Sequence, residues 1–97
     1  MDARELKAVR AIQQCVHASR YRLTPHFIQR MHQRGLFWPD VQAALDDPET
    51  VRCQGLDRFG RPKWVVAGRD FDGWLIEVVC VLDSDEKGNH TVFITLY

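Results

Sequence analysis

Three observations predict an α+β fold. Helical apolar spacing fills the first half of the chain, alternating β-branched and aromatic residues take over after Pro48, and turn chemistry punctuates only the second half. Helices that precede strands folding back on one another place two to three N-terminal helices on a four-stranded antiparallel sheet. The 97 residues suffice for one modest core, so the chain reads as a single domain over 1–97, helical over 1–47 and sheet over 50–97.

Leu6, Val9, Ile12 and Val16 recur at helical spacing with Arg4, Lys7, Arg10 and Gln14 opposite, which predicts an amphipathic helix over residues 3–18. A second helix opens at Thr24-Pro25. Thr is a good N-cap, and Pro at the first helical position sacrifices only an N–H that has no partner. Gly35 stops that helix. A third, short helix begins near Pro39, turns Val41, Ala44 and Leu45 inward, and ends before Pro48. Thr50–Cys53, Lys63–Gly68, Trp74–Leu82 and His90–Tyr97 read as strands. Asp70-Phe71-Asp72-Gly73 and the stretch from Asp83 to Asn89 read as turns, so the last three strands form a meander.

Thirteen Lys and Arg balance thirteen Asp and Glu, which excludes the global basic field of a non-specific nucleic-acid or membrane binder. The charge is nonetheless segregated: residues 1–34 hold seven basic and two acidic residues, whereas 62–97 hold three basic and six acidic. No apolar run approaches the ~20 residues of a membrane span, and the start of the chain goes directly into a charged helix without a signal-type apolar region. Cys15, Cys53 and Cys80 form no C-x-x-C pair and are expected as free thiols in a reducing, cytoplasmic setting. The four scattered histidines predict no metal site, and no cofactor is expected.

The informative stretch is L-T-P-H-F-I-Q-R-M-H-Q-R-G over residues 23–35. At about 100° per residue, Gln29, Arg30, Gln33 and Arg34 all fall within about 80° of His26, opposite an arc holding Phe27, Ile28 and Met31. His26 sits in the first turn, where the positive helix end works against imidazolium. A neutral imidazole between two guanidinium groups suits phosphate chemistry, one taking a proton and the others holding the anion. The plainer alternative is a solvated helix face whose arginines pair with Asp46, Asp47 or a carboxylate of the sheet.

The same stretch, followed by Pro39-Asp40-Val41, Ala44-Leu45 and Pro48, resembles the helical signature of an uncharacterised bacterial family, number 4258 among the domains of unknown function. Gly60 to Gly68, Asp72-Gly73 and Val92 to Tyr97 resemble its strands and turn. The resemblance implies a fold like that of small ribonuclease toxins of the barnase, colicin and RelE type. It also implies metal-independent RNA cleavage, in which a 2′-hydroxyl attacks the adjacent phosphate. It marks Thr24, His26, Arg30, Met31, Arg34 and Gly35; of these Thr24, Met31 and Gly35 read as structural, as cap, core and stop, which leaves His26, Arg30 and Arg34 as the catalytic candidates. The chain departs from the signature at Trp38-Pro39, where a Ser or Thr usually caps the third helix.

The sheet supplies the remaining candidates. Glu77 shares a strand face with Leu75, Val79 and Val81, so it is either paired, with Arg30, Arg34 or Lys63 as the expected partners, or the general acid or base. Lys63 is a candidate phosphate ligand. Alternation places Thr91, Phe93, Thr95 and Tyr97 on one face of the last strand; Thr95 and Tyr97 are candidates to reach a phosphate or base, with cross-strand packing as the plainer alternative. Of Trp38, Trp64 and Trp74, at least two are expected in the core or a partner interface. The expectation is a toxin acting as an endoribonuclease on RNA, free or at the ribosome, with a cognate antitoxin protein and a homodimer as further partners. The alternative is a non-catalytic RNA- or protein-binding module of the same fold.

Overall fold

The computed structural model describes all 97 residues. Helix α1 (Ala3–His17) starts with a reciprocal cap: the Asp2 carboxylate accepts from the Glu5 N–H, and the Glu5 carboxylate accepts from the Asp2 N–H, both at 2.8 Å. Its buried stripe is Ala8, Val9, Ile12, Cys15 and Val16. Ser19, with φ +56°, reverses the chain into β1 (Tyr21–Leu23). Helix α2 (Pro25–Gln33) begins at Thr24 as expected and ends on Gly35 at φ +65°. There the N–H groups of Leu36 and Gly35 donate to the carbonyls of Met31 (2.9 Å) and His32 (3.1 Å). Helix α3 (Trp38–Asp46) is capped by a carboxylate reaching back: Asp40 accepts from the Phe37 N–H at 3.0 Å. That bond serves where the expected Ser or Thr is missing.

Strands β2 (Pro48–Leu56), β3 (Pro62–Arg69), β4 (Leu75–Asp85) and β5 (Gly88–Leu96) pair antiparallel in sequence order. The sheet is therefore five-stranded and mixed, in order β1-β5-β4-β3-β2, rather than four-stranded and antiparallel. The unexpected member is β1, which runs parallel to β5 with Arg22 opposite Val92. It lies inside the segment read as helical, and three residues are too few to carry a period of their own. The strands also reach further than the sequence suggests: β2 starts at Pro48 and continues to Leu56.

The three helices cover one face of the sheet. Phe27, Met31, Val41 and Leu45 join Val51, Trp64, Val66, Ile76, Val78, Cys80, Phe93 and Leu96 in one core cluster of 18 buried residues. Phe93 is its hub, with ring centroids 5.4 Å from Phe27 and 5.3 Å from Trp38. Trp64 is buried and Trp38 packs against the cluster, while Trp74 is 73% exposed. Burial pushes the Cys80 thiol up to about 12, with Cys15 adding to the effect, so it stays a protonated core group. Cys15, Cys53 and Cys80 are all free thiols.

The alternation expected along β5 is broken by one residue. Thr95 lies opposite Val79 and Phe93 opposite Cys80, so Ile94 is an extra residue between them. The bulge shifts the pleat by one. Thr91, Phe93 and Leu96 face the helices, whereas Val92, Thr95 and Tyr97 face away, together with Glu77, Val79 and Lys63. Thr91 and Phe93 therefore do not share a face with Thr95 and Tyr97.

Two predictions concern this frame. Gly68 lies directly under α3, and a Cβ there would stand 2.8 Å from the Ala44 Cα. Gly68→Ala should therefore cost about 1–3 kcal/mol in denaturant unfolding, and an unchanged midpoint would rule out the close approach. At the β2–β3 turn, Asp57 accepts from the N–H groups of Phe59 and Arg61 and from the Arg61 guanidinium. Burial pushes the Asp57 carboxyl up, but these donors outweigh it and hold the group below its ordinary 3.8. A carboxyl lowered on folding stabilises above its unfolded value and stops doing so as pH falls through its folded value. Melting temperature should thus fall less steeply below about pH 4 in Asp57→Asn than in the parent chain, as thermal melts across the acid range will read.

Candidate functional site

Beyond Leu23 the outer edge of β5 has no strand beside it, and α2 takes that place. Thr24 does double work there. Its hydroxyl accepts from the Phe27 N–H at 3.2 Å to start the helix, and lies 2.9 Å from the Phe93 carbonyl and 3.1 Å from that of Ile94 to donate across the edge. One turn on, the Arg30 Nε–H donates to the Leu96 carbonyl at 3.1 Å. Phe27 and Met31 hold the opposite side of the helix in the core.

This clamp aims His26 at Thr95. His26 Nε2 and Thr95 Oγ1 share a hydrogen bond of 3.0 Å, between residues 69 apart in sequence. Arg30 Nη1 donates to Gln33 Oε1 at 3.1 Å, and its guanidinium lies 6.0 Å from the Tyr97 ring centroid. With Nε and Nη1 engaged, the guanidinium is held in place while Nη2 makes no hydrogen bond within the chain. The result is an exposed imidazole, a hydroxyl, an oriented guanidinium and an aromatic ring at one corner of the helix-free face. None of the four meets a carboxylate.

The other candidates stand apart. Arg34 is the C-cap of α2, about 12 Å along the axis from His26, and it makes no side-chain hydrogen bond or ion pair. The imidazole is therefore joined by one guanidinium rather than two. Glu77 exchanges both backbone hydrogen bonds with Tyr97, at 3.0 and 2.8 Å, but its carboxylate leans across β3 to Arg52 Nη2 at 3.7 Å. It is paired as a plain reading requires, though with none of Arg30, Arg34 or Lys63. Lys63 lies opposite Val81, two strands and two residues from Thr95, a separation on the order of 12 Å. Neither Arg30 nor Arg34 pairs with Asp46, which instead meets His17 at 3.1 Å.

Two contributors escape the sequence reading. Gln33, which steadies Arg30, was visible only as a helix-spaced neighbour at i+3. Thr24 is legible as a cap, yet nothing local signals its bonds to β5. No group of three or more His, Cys, Asp or Glu is placed to hold a metal ion, and no helix is long and apolar enough to cross a membrane.

Residues 23–97 match the domain of unknown function DUF4258. The chain belongs to that family. No curated protein and no solved structure matches it. The DUF4258 segment begins at the last residue of β1 and takes in the whole His26 corner, leaving α1 outside it.

The clamp and the free guanidinium should separate in a stability assay. Arg30→Ala removes a charged donor from the Leu96 carbonyl and should cost about 1.5–3 kcal/mol of unfolding free energy, whereas Arg34→Ala should stay within about 0.5 kcal/mol of the parent. Equal effects in urea titrations would deny Arg30 its structural role.

Proposed function

We propose that this DUF4258 chain is a metal-independent endoribonuclease, the toxin of a toxin–antitoxin pair, and that His26 is its proton acceptor. The observation that carries this reading is the approach of His26 Nε2 to Thr95 beside a guanidinium with unused donors. When Nε2–H donates to Thr95 Oγ1, the bare lone pair is on Nδ1, which makes no bond within the chain. Nδ1 then takes the proton of a ribose 2′-hydroxyl. The 2′-oxygen attacks the adjacent phosphorus, the P–O5′ bond breaks, and the departing 5′-oxygen takes a proton from water. The products are a 2′,3′-cyclic phosphate and a 5′-hydroxyl. Arg30 Nη2–H binds a non-bridging phosphate oxygen, where negative charge grows in the transition state. Tyr97, half exposed, offers a ring for a neighbouring base.

The order of elements, with helices first and an antiparallel meander after, is in keeping with the barnase, colicin and RelE type of ribonuclease toxin. An antitoxin protein and a cytoplasmic site of action belong to the same reading. One observation favours the alternative of a non-catalytic RNA-binding module: the candidate carboxylate Glu77 is engaged by Arg52, and the only side chain hydrogen-bonded to His26 is that of Thr95.

Purified protein incubated with a mixed-sequence RNA in the presence of a chelator decides between them. Cleavage leaving cyclic phosphate ends, and reduced about 10²–10⁴-fold in His26→Ala, is expected. Intact RNA, with equal affinity in the parent and His26→Ala, selects the binding module. Cleavage indifferent to His26→Ala overturns the assignment of the base.

A further inference from the structure

The outer side of α1 faces the tip of the β4–β5 hairpin across a groove that the His26 corner does not use. Three adjoining hollows form it, and Ala11 and Asn89 line all of them. The largest has a volume of about 500 Å³. The floor is apolar and low, made by Ala8, Ala11 and Cys15 with Leu82 at one end. Arg4, Lys7 and Arg10 stand on the helix side, with Arg20 and Lys87 on the hairpin side. No acidic residue lines it. Of these five bases only Arg20 forms an ion pair, with Asp85 at 2.9 Å, and it also donates to the Asn89 and Gly88 carbonyls. Arg20 thereby fixes the hairpin tip as the far wall.

We propose that this groove docks an acidic amphipathic helix of a partner protein. The charge is one-sided in a chain whose basic and acidic residues balance, so an anionic partner is favoured. The floor decides its kind. A nucleic-acid backbone is held by Lys and Arg and by neutral polar donors, and gains nothing from a run of small apolar residues. Bases of a single strand need exposed rings, and the one ring here, Trp64, is buried with the Arg4 guanidinium 5.5 Å from its centroid. A helix whose apolar side chains sit over Ala11, and whose Glu and Asp residues reach Lys7, Arg10 and Lys87, satisfies both features. The small side chains of Ala3, Ala11 and Ala18 leave the room that such a helix requires. The α1 wall of the groove lies outside the DUF4258 segment and the hairpin wall lies within it. Asn89 and Thr95 are about 20 Å apart along β5, so an occupant here leaves the His26 corner open.

The probe is a fluorescein-labelled synthetic peptide of roughly four helical turns, with Leu at core-facing spacing and Glu at the other positions. Its controls are a scrambled peptide of equal composition and a single-stranded RNA of similar length. Fluorescence anisotropy with the full chain should show the patterned peptide binding about tenfold more tightly than the scrambled one. Lys7→Glu with Arg10→Glu, both exposed and safe for the fold, should weaken it by about tenfold or more. Ala11→Leu, which raises the floor without changing charge, should weaken it similarly, with circular dichroism reporting that the variant is folded. Absence of peptide binding overturns the proposal. So does equal binding of the scrambled peptide, or indifference to Ala11→Leu, since either reduces the groove to a charged surface. RNA bound through Lys7 and Arg10 in place of the peptide overturns it in favour of nucleic acid.

Discussion

The outer edge of β5 governs the architecture of the proposed site. β1 covers that edge only opposite Thr91–Phe93, while β5 runs on to Leu96. Unpaired carbonyls beyond that point are costly where they are shielded from water, and an open edge invites pairing with another chain. The solution is a helix set against the edge with side chains in place of ladder bonds. Thr24 meets the carbonyls of Phe93 and Ile94, and Arg30 meets that of Leu96. Because donors on two successive turns of α2 are tied to fixed points on β5, rotation of the helix is excluded. His26, between them, meets Thr95.

The bulge at Ile94 supplies the other half of the geometry. Without the extra residue, Thr95 would face the helices and Leu96 would face away, placing a hydroxyl in the core and a fully buried leucine in water. With it, Leu96 fills the core beside Phe27, and Thr95 and Tyr97 emerge on the face where His26 arrives. Core packing thus enforces the bulge, and the bulge presents the polar residues. The corner is the by-product of a constraint that apolar burial imposes.

How far the sequence discloses this depends on the range of the interaction. The punctuation of α2 by Thr24-Pro25 and Gly35 is local chemistry and can be read directly, as can the turns at Asp70–Gly73 and around Gly88. β1 cannot, because Tyr21–Leu23 is a strand only by virtue of β5, which lies some 70 residues away. The bulge is equally hidden: every residue from Val92 to Leu96 suits a strand, so alternation fits one register as well as its neighbour. Glu77 was recognisable as a carboxylate needing a partner. That Arg52 supplies it follows from side chains meeting across an intervening strand, which only the register of three strands determines. His26 and Arg30 were visible as neighbours on one helix face, whereas Arg34, at the C-cap of α2, makes no side-chain bond to β5.

Charge carries a similar lesson. Arg20 is the only Lys or Arg among the first 34 residues to pair with a carboxylate; the other three paired arginines, Arg52, Arg61 and Arg69, lie in or beside the sheet. The acids of the second half are thus engaged largely by bases of the same half, and those of α1 and α2 remain unneutralised. A balanced total conceals two basic surfaces, one along α1 and one where α2 meets β5. Exposed charges are screened beyond about 8 Å in physiological salt. The surfaces are separated by more than that, since Asn89 and Thr95 alone are about 20 Å apart along β5. Each therefore presents its own field to an approaching anion, and occupation of one need not alter attraction to the other. The net charge of the chain describes neither surface.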